Sequence, residues 1–259
     1  MPLISITKAV KRFPNGLLAL QGVDLNVMEG SFTVILGPSG AGKSTLLRMI
    51  NGLERATSGE IRVHDEILTP QTLRRIRGKI AMVFQQFNLV GRLSVITNIL
   101  VGRLPHRSWL GSVFYLFRGE DVLIAHQALA RVGLTEKAWE RADKLSGGQQ
   151  QRVGIARALA QQPQAILADE PVASLDPVTS DEIMQLLKEI CVKDGITMIV
   201  NLHQVELAER FADRVIGLNS GRIVFDGPPR ELNAQVLKEI YRRDGANIEE
   251  PLELAVAYA

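Results

Sequence analysis

Residues 32–45 read FTVILGPSGAGKST: a run of apolar and β-branched residues, a loop with three glycines, then a lysine and two hydroxyls. The spacing G-x4-G-K-[ST] over 37–44 requires a strand before it and a helix after it. FTVIL supplies the strand, and LLRMINGL from Leu46 supplies the helix. Such a loop, here Gly37, Pro38, Ser39, Gly40, Ala41 and Gly42, closes its backbone N–H groups, which Pro38 lacks, around phosphates, and Lys43 reaches the β- and γ-phosphates. Ser44 ligates Mg²⁺, and Thr45 adds a hydroxyl nearby. A strand feeding a phosphate loop and helix makes the chain α/β and its ligand a nucleotide.

The segments on either side extend this reading. LISITKAV and LALQGVDLNV, separated from each other and from FTVIL by PNG and MEG, read as strands joined by turns. EIRV and IAMVF return to strand after the first helix. From about Asn88 to Gln162 the pattern is nearly all helical, in LSVITNILVGRL, EDVLIAHQALARVGL and GGQQQRVGIARALAQQ. QAILADE, ITMIVNLH, RVIGLN and RIVFDG are further strands, with DEIMQLLKEICVK crossing between the first two. Strands alternating with helices imply a largely parallel sheet. The expected architecture is a P-loop NTPase core with an N-terminal antiparallel β subdomain and a helical subdomain inserted at about 88–162. One nucleotide-binding domain spans 1–245, and a tail follows at 246–259.

At 259 residues the chain lies near the upper size for one core. A net charge of +2 is too small to argue for nucleic acid, and a mildly basic surface is equally compatible with an anionic membrane. The single cysteine, Cys191, sits at an apolar position of a helical pattern and reads as a buried thiol, which fits a reducing compartment. No run approaches the ~20 apolar residues of a membrane span. The longest, WLGSVFYLF at 109–117, is either core packing or a docking surface.

Three further strand ends carry chemistry. AILADE at 165–170 ends in two carboxylates: Asp169 can hold Mg²⁺ through water, and Glu170 can polarise an attacking water. Gln85 in MVFQQF can contact Mg²⁺ or that water, and His203 in IVNLHQVEL can hydrogen-bond the γ-phosphate. His64, His106 and His126 show no metal spacing. LSGGQQQRV at 145–153 poses a different question, because Ser146 followed by Gly147 and Gly148 is an N-cap beside exposed backbone N–H groups, a second anion site. One nucleotide needs only one phosphate loop. The second site therefore serves another copy, with two chains facing head to tail.

The order GPSGAGKS, Gln85, LSGGQ, ILADE, SLD at 174–176 and His203 resembles the ATP-binding cassettes of ABC transporters over residues 3–228. The resemblance implies ATP and Mg²⁺ as cofactors and Lys43, Gln85, Glu170 and His203 as the catalytic set. It implies that Phe13, in KRFPNG, stacks on adenine, where the family often has Tyr. It also implies that Ser146 to Gln149 meet the γ-phosphate bound by a second copy, and that Asp176 bridges the two sites. The Gln85 loop and the helical subdomain would receive a short helix from a membrane permease. A narrower likeness is carried by FNLVGRLSVITNILVGRL, LADEPVASLDPVTS and VNLHQVELAERFADRVIGLNSGRIVFDGPP. It is to the ATPases of phosphonate importers, and it implies a homodimer on the cytoplasmic face of the inner membrane. That dimer would work with permease subunits and a separate substrate-binding protein, and without nucleic acid. Importers of phosphite, phosphate or polar amino acids would share every catalytic residue. A non-transport ABC ATPase is the other alternative, although such proteins carry paired cassettes or long insertions.

Overall fold

The structure, a computed structural model, describes residues 1–107 and 117–242. The tail at 246–259 and all of the apolar run 109–117 except Phe117 lie outside the described residues.

Two sheets organise the described chain. The first is antiparallel: β1 (Pro2–Arg12) pairs with both β2 (Leu18–Met28) and β4 (Ser58–Val63), and the short β5 (Glu66–Ile67) completes the order β2-β1-β4-β5. The second contains β3 (Phe32–Leu36), β6 (Ile80–Val83), β7 (Ala165–Asp169), β8 (Thr197–Asn201), β9 (Arg214–Asn219) and β10 (Arg222–Gly227). Its order is β10-β9-β3-β8-β7-β6. All neighbours in it are parallel except the edge pair β10 and β9.

The sheet is buried on both faces, which is why its strands read as nearly continuous apolar runs. In β3, Phe32, Val34 and Leu36 enter one core cluster and Ile35 the other, as the two-residue period of a strand requires. On the Ile35 side lie the antiparallel sheet and helix α1 (Lys43–Ile50), through Leu46, Leu47, Met49 and Ile50. Between β4 and β6 the chain forms helix α2 (Leu73–Lys79), which the sequence reading did not anticipate.

The described parts of the stretch between β6 and β7 are largely helical, as expected: α3 (Val95–Leu100), a 3₁₀ turn at Val101–His106, α4 (Gly119–Arg131) and α5 (Gly147–Ala160). Its apolar faces join the larger core cluster, Ile96 and Ile99 meeting Ala125, Leu129, Val153 and Ile155. A buried ion cluster pins its base, with Arg103 and Arg107 on the fully buried Asp121 and Arg103 also donating to the Ala160 carbonyl. Burial alone would push the Asp121 carboxyl up, but the bonds from Arg107, the Arg118 N–H and Arg103 outweigh it and hold it at about 2. The cluster therefore stabilises the fold above the ordinary Asp pKa near 4, and that stabilisation is lost as pH falls through about 2.

After β7 comes α6 (Pro177–Asp194), capped by Asp176, opened by Pro177 and stopped by Gly195 at φ 67°. Two shorter helices, α7 (Val205–Phe211) and α8 (Ala234–Tyr241), complete the described chain. Cys191 is buried in α6, and burial pushes its thiol up to about 11, as befits an inert structural cysteine. Among the described residues, no helix is long and apolar enough to cross a membrane.

Candidate functional site

Parallel strands deliver their carboxyl ends to one edge of a sheet, and that edge is where open α/β folds bind ligands. Here the phosphate loop follows β3, Gln85 follows β6, Asp169 and Glu170 close β7, and His203 follows β8. The topology alone gathers four segments that are far apart in the chain.

The loop is built as the spacing predicted. Gly42 caps α1 with φ 103°, and a Cβ there would lie 2.5 Å from the Ala19 carbonyl oxygen, so only glycine fits. Lys43, 4% exposed, points back into its own loop and donates to the Gly37 and Pro38 carbonyls at 2.7 and 3.2 Å. Burial lowers the pKa of its ammonium, while the charges of Glu170 and Asp169 pull it back up. The loop, the lysine and both carboxylates therefore form one electrostatic unit.

Ser44 Oγ donates to Asp169 Oδ1 at 2.7 Å, and the Asn201 amide donates to the same oxygen at 2.8 Å. His203 Nε2 lies 2.6 Å from Glu170 Oε1. Glu170 holds a left-handed backbone, φ 50°, a conformation that costs a non-glycine residue about 1 kcal/mol or more and is typical of side chains aimed at a site. The half-buried Tyr241 donates its hydroxyl to the His203 carbonyl at 3.2 Å, and desolvation pushes that phenol up to about 12, so it stays a donor.

Gln85 is exposed, and its side chain makes no hydrogen bond among the described residues. The loop behind it is held elsewhere. Phe87 and Asn88 both have left-handed backbones, φ 52° and 49°, and Arg157 on α5 donates to their carbonyls at 2.9 and 2.6 Å. Among the described residues Arg157 has no carboxylate partner, and burial lowers its pKa.

Phe13 closes the first strand's turn, its N–H bonded to the Leu17 carbonyl at 2.8 Å. Lys11 Nζ sits 4.8 Å from its ring centroid. Ala19 and Leu20, which follow that turn in β2, are the residues that a Cβ on Gly42 would meet, so β2 leads from the aromatic turn to the phosphate loop.

The LSGGQ segment forms a second, separate group. Ser146 caps α5, accepting from Gln149 N while the Gln149 side chain accepts from Ser146 N. A Cβ on Gly148 would lie 2.5 Å from Thr179 Cγ2, and one on Gly147 would lie 3.5 Å from Leu175 Cδ2. The start of α6, capped by Asp176, thus packs against the LSGGQ turn. Hydrogen bonding to Thr179 keeps the Asp176 carboxyl below the usual range. No hydrogen bond or ion pair among the described residues joins 146–149 or Asp176 to 37–45.

Sequence reasoning missed Asn201, Arg157 and Tyr241. An amide interrupting the apolar run ITMIV was a signal for Asn201. The other two carry none, because their partners are backbone carbonyls distant in sequence.

Comparison with known proteins agrees with this arrangement. Residues 20–173 match the family described as ABC transporter. The chain is 68% identical over 259 residues, the whole of both chains, to the "Phosphonates import ATP-binding protein PhnC" of Thiobacillus denitrificans. It is 60% identical over 258 residues, 99% of each chain, to "PhnC 2" of Trichodesmium erythraeum. Among solved structures, the dimeric post-hydrolysis state of the ATP-binding cassette MJ0796 bound to ADP and Pi superposes with a TM-score of 0.76 at 38% identity. It covers 88% of this chain and 99% of that one. The ADP conformation of the cassette MJ1267 gives a TM-score of 0.81 at 30% identity, covering 93% and 98%. With the phosphate loop, the carboxylate pair and the LSGGQ helix set on this fold, the chain belongs to the ABC transporter family, as an ATP-binding cassette.

Proposed function

We propose that this chain is the ATP-hydrolysing subunit of an importer for phosphonates or a related phosphorus oxyanion. The observation that carries the substrate class is the identity of 68%, without truncation on either side, to a phosphonate importer's ATP-binding protein.

The chemistry follows from the site. The N–H groups of the loop and the start of α1 favour the β- and γ-phosphates, and Lys43 exchanges the Gly37 and Pro38 carbonyls for phosphate oxygens. Ser44 and Asp169 are hard oxygen donors already in contact, which suits Mg²⁺. Mg²⁺ bound there would neutralise charge on the β- and γ-phosphates. Glu170 takes the proton of the attacking water, and His203 holds that carboxylate and faces the γ-phosphate. Gln85, whose side chain makes no hydrogen bond among the described residues, would be available to the metal or to the water.

Ser146, Gly147, Gly148 and Gln149 serve the γ-phosphate of a second copy, and Asp176 bridges the two sites. The separation of the two groups within one chain supports this reading, as does the dimeric cassette among the structural neighbours. A cleft of about 370 Å³ is lined by Leu53, Arg77, Phe84, Val101 and Arg157, Phe84 being the residue before Gln85; in this reading it is where a helix of the permease docks. The working assembly is a homodimer beneath permease subunits at the cytoplasmic face of the inner membrane, supplied by a separate binding protein.

Growth tests the substrate. Disrupting the gene should abolish growth on methylphosphonate as sole phosphorus source and leave growth on inorganic phosphate intact, with rescue by the wild type but not by Glu170→Gln. Undiminished growth on several phosphonates would overturn the substrate class.

A further inference from the structure

The parallel register sets Asp169 of β7 directly beside Asn201 of β8. By the strand period, Asn201 shares a face with Ile199, and Asp169 shares one with Leu167. Both apolar residues belong to the core cluster that α1 covers. Both polar side chains therefore point to the face that carries Ser44.

Asn201 is fully buried at the end of a strand whose preceding residues are Met198, Ile199 and Val200. Its Nδ2 donates to Asp169 Oδ1 at 2.8 Å, but its own Oδ1 is buried without a partner. The opposite amide orientation would set oxygen against carboxylate, so the neighbours fix the one observed. A buried carbonyl with nothing to accept from is unfavourable, and valine would fill the place without that penalty. The amide is therefore retained for what it donates. Asp169 Oδ1 accepts from both Asn201 and Ser44, while Oδ2 takes no hydrogen bond among the described residues.

We propose that Asn201 is a positioning residue of the cation site. It occupies Oδ1 and locks the carboxylate, so that Oδ2 is the oxygen left to accept from cation-bound water. This rests on the Mg²⁺-ATP reading above. It goes beyond that reading by assigning a residue outside the phosphate loop and the carboxylate pair to the metal's outer shell, where partners of ligating groups commonly set affinity by tenfold or more.

The test is Mn²⁺ binding to the full chain in the presence of a non-hydrolysable ATP analogue, read by the electron paramagnetic resonance of free Mn²⁺. Nucleotide affinity in EDTA is measured alongside. Asn201→Val should weaken Mn²⁺ binding about tenfold, leave nucleotide affinity in EDTA unchanged, and leave the melting temperature equal or higher because the orphaned carbonyl is gone. Asp169→Ala is the control and should weaken Mn²⁺ binding at least as much. Unchanged Mn²⁺ affinity in Asn201→Val beside a weakened Asp169→Ala would overturn the role of Asn201 alone. Unchanged affinity in both would overturn the cation reading on which it rests. If Asn201→Val also loses nucleotide in EDTA, the same measurements on Asn201→Ala decide.

Discussion

We propose that the Phe13 ring stacks on the base of the nucleotide. Lys11 covers the ring with an ammonium that is itself held by Glu54 at 2.7 Å and by the Arg55 carbonyl at 2.9 Å. One face is thereby engaged in a cation–π contact, and the other remains for a base to stack on. Phe13→Ala should weaken ATP binding by about 1 kcal/mol, roughly fivefold, whereas Phe13→Tyr should bind like the wild type. Titration with a fluorescent ATP analogue measures both. Equal affinity for Phe13→Ala would remove the ring from the site. Phe13 entered the sequence reading only through the resemblance, and the lysine over it was not marked there, because what holds its ammonium, Glu54 and the Arg55 carbonyl, lies more than forty residues away.

At the level of elements, α5 does two things at once. Its first turn carries Ser146, and its last carries Arg157, which holds the two left-handed residues behind Gln85. The Phe87 ring also approaches the LSGGQ end, its Cζ lying 3.8 Å from where a Gly147 Cβ would be. Helix and loop are therefore packed and hydrogen-bonded to each other. Arg157→Met should cost about 2 kcal/mol of stability, because two charge-assisted bonds to strained backbone vanish. The chain should stay folded, and amide exchange should rise at 85–89 while α1 remains protected. Exchange mass spectrometry reads this directly, and equal exchange at 85–89 would show that the loop holds its shape without the arginine. The helix was legible from Ser146 and the apolar period. The loop's dependence on it was not, because carbonyl acceptors leave no mark on a sequence.

For the molecule as a whole, the two groups of site residues predict how copies meet. Glu170→Gln keeps the side chain's size but removes the base, so ATP should stay intact and hold two chains together. That variant should pass from monomer to dimer with ATP and not with ADP. Adding Ser146→Arg sets a cation into the facing surface and leaves the chain's own loop untouched, so the double variant should bind ATP and remain monomeric. Sedimentation with ATP is decisive, and a double variant that still dimerises would show that LSGGQ serves no second copy.

Sequence alone determined the elements whose chemistry is local: the phosphate loop between a strand and a helix, the carboxylates closing β7, the Ser146 cap, and the buried strands read from apolar runs. Each depends on neighbours a few residues away, where spacing is geometry. Tertiary structure decided what depends on order in the sheet. With β7 beside β8 and β8 beside β3, Asp169 meets Ser44 and Asn201, and Glu170 meets His203, across separations that no local pattern spans. It also decided that the LSGGQ turn lies against the start of α6 and apart from the phosphate loop. The packing of Gly148 on Thr179 sets that arrangement, and neither segment's own sequence specifies it.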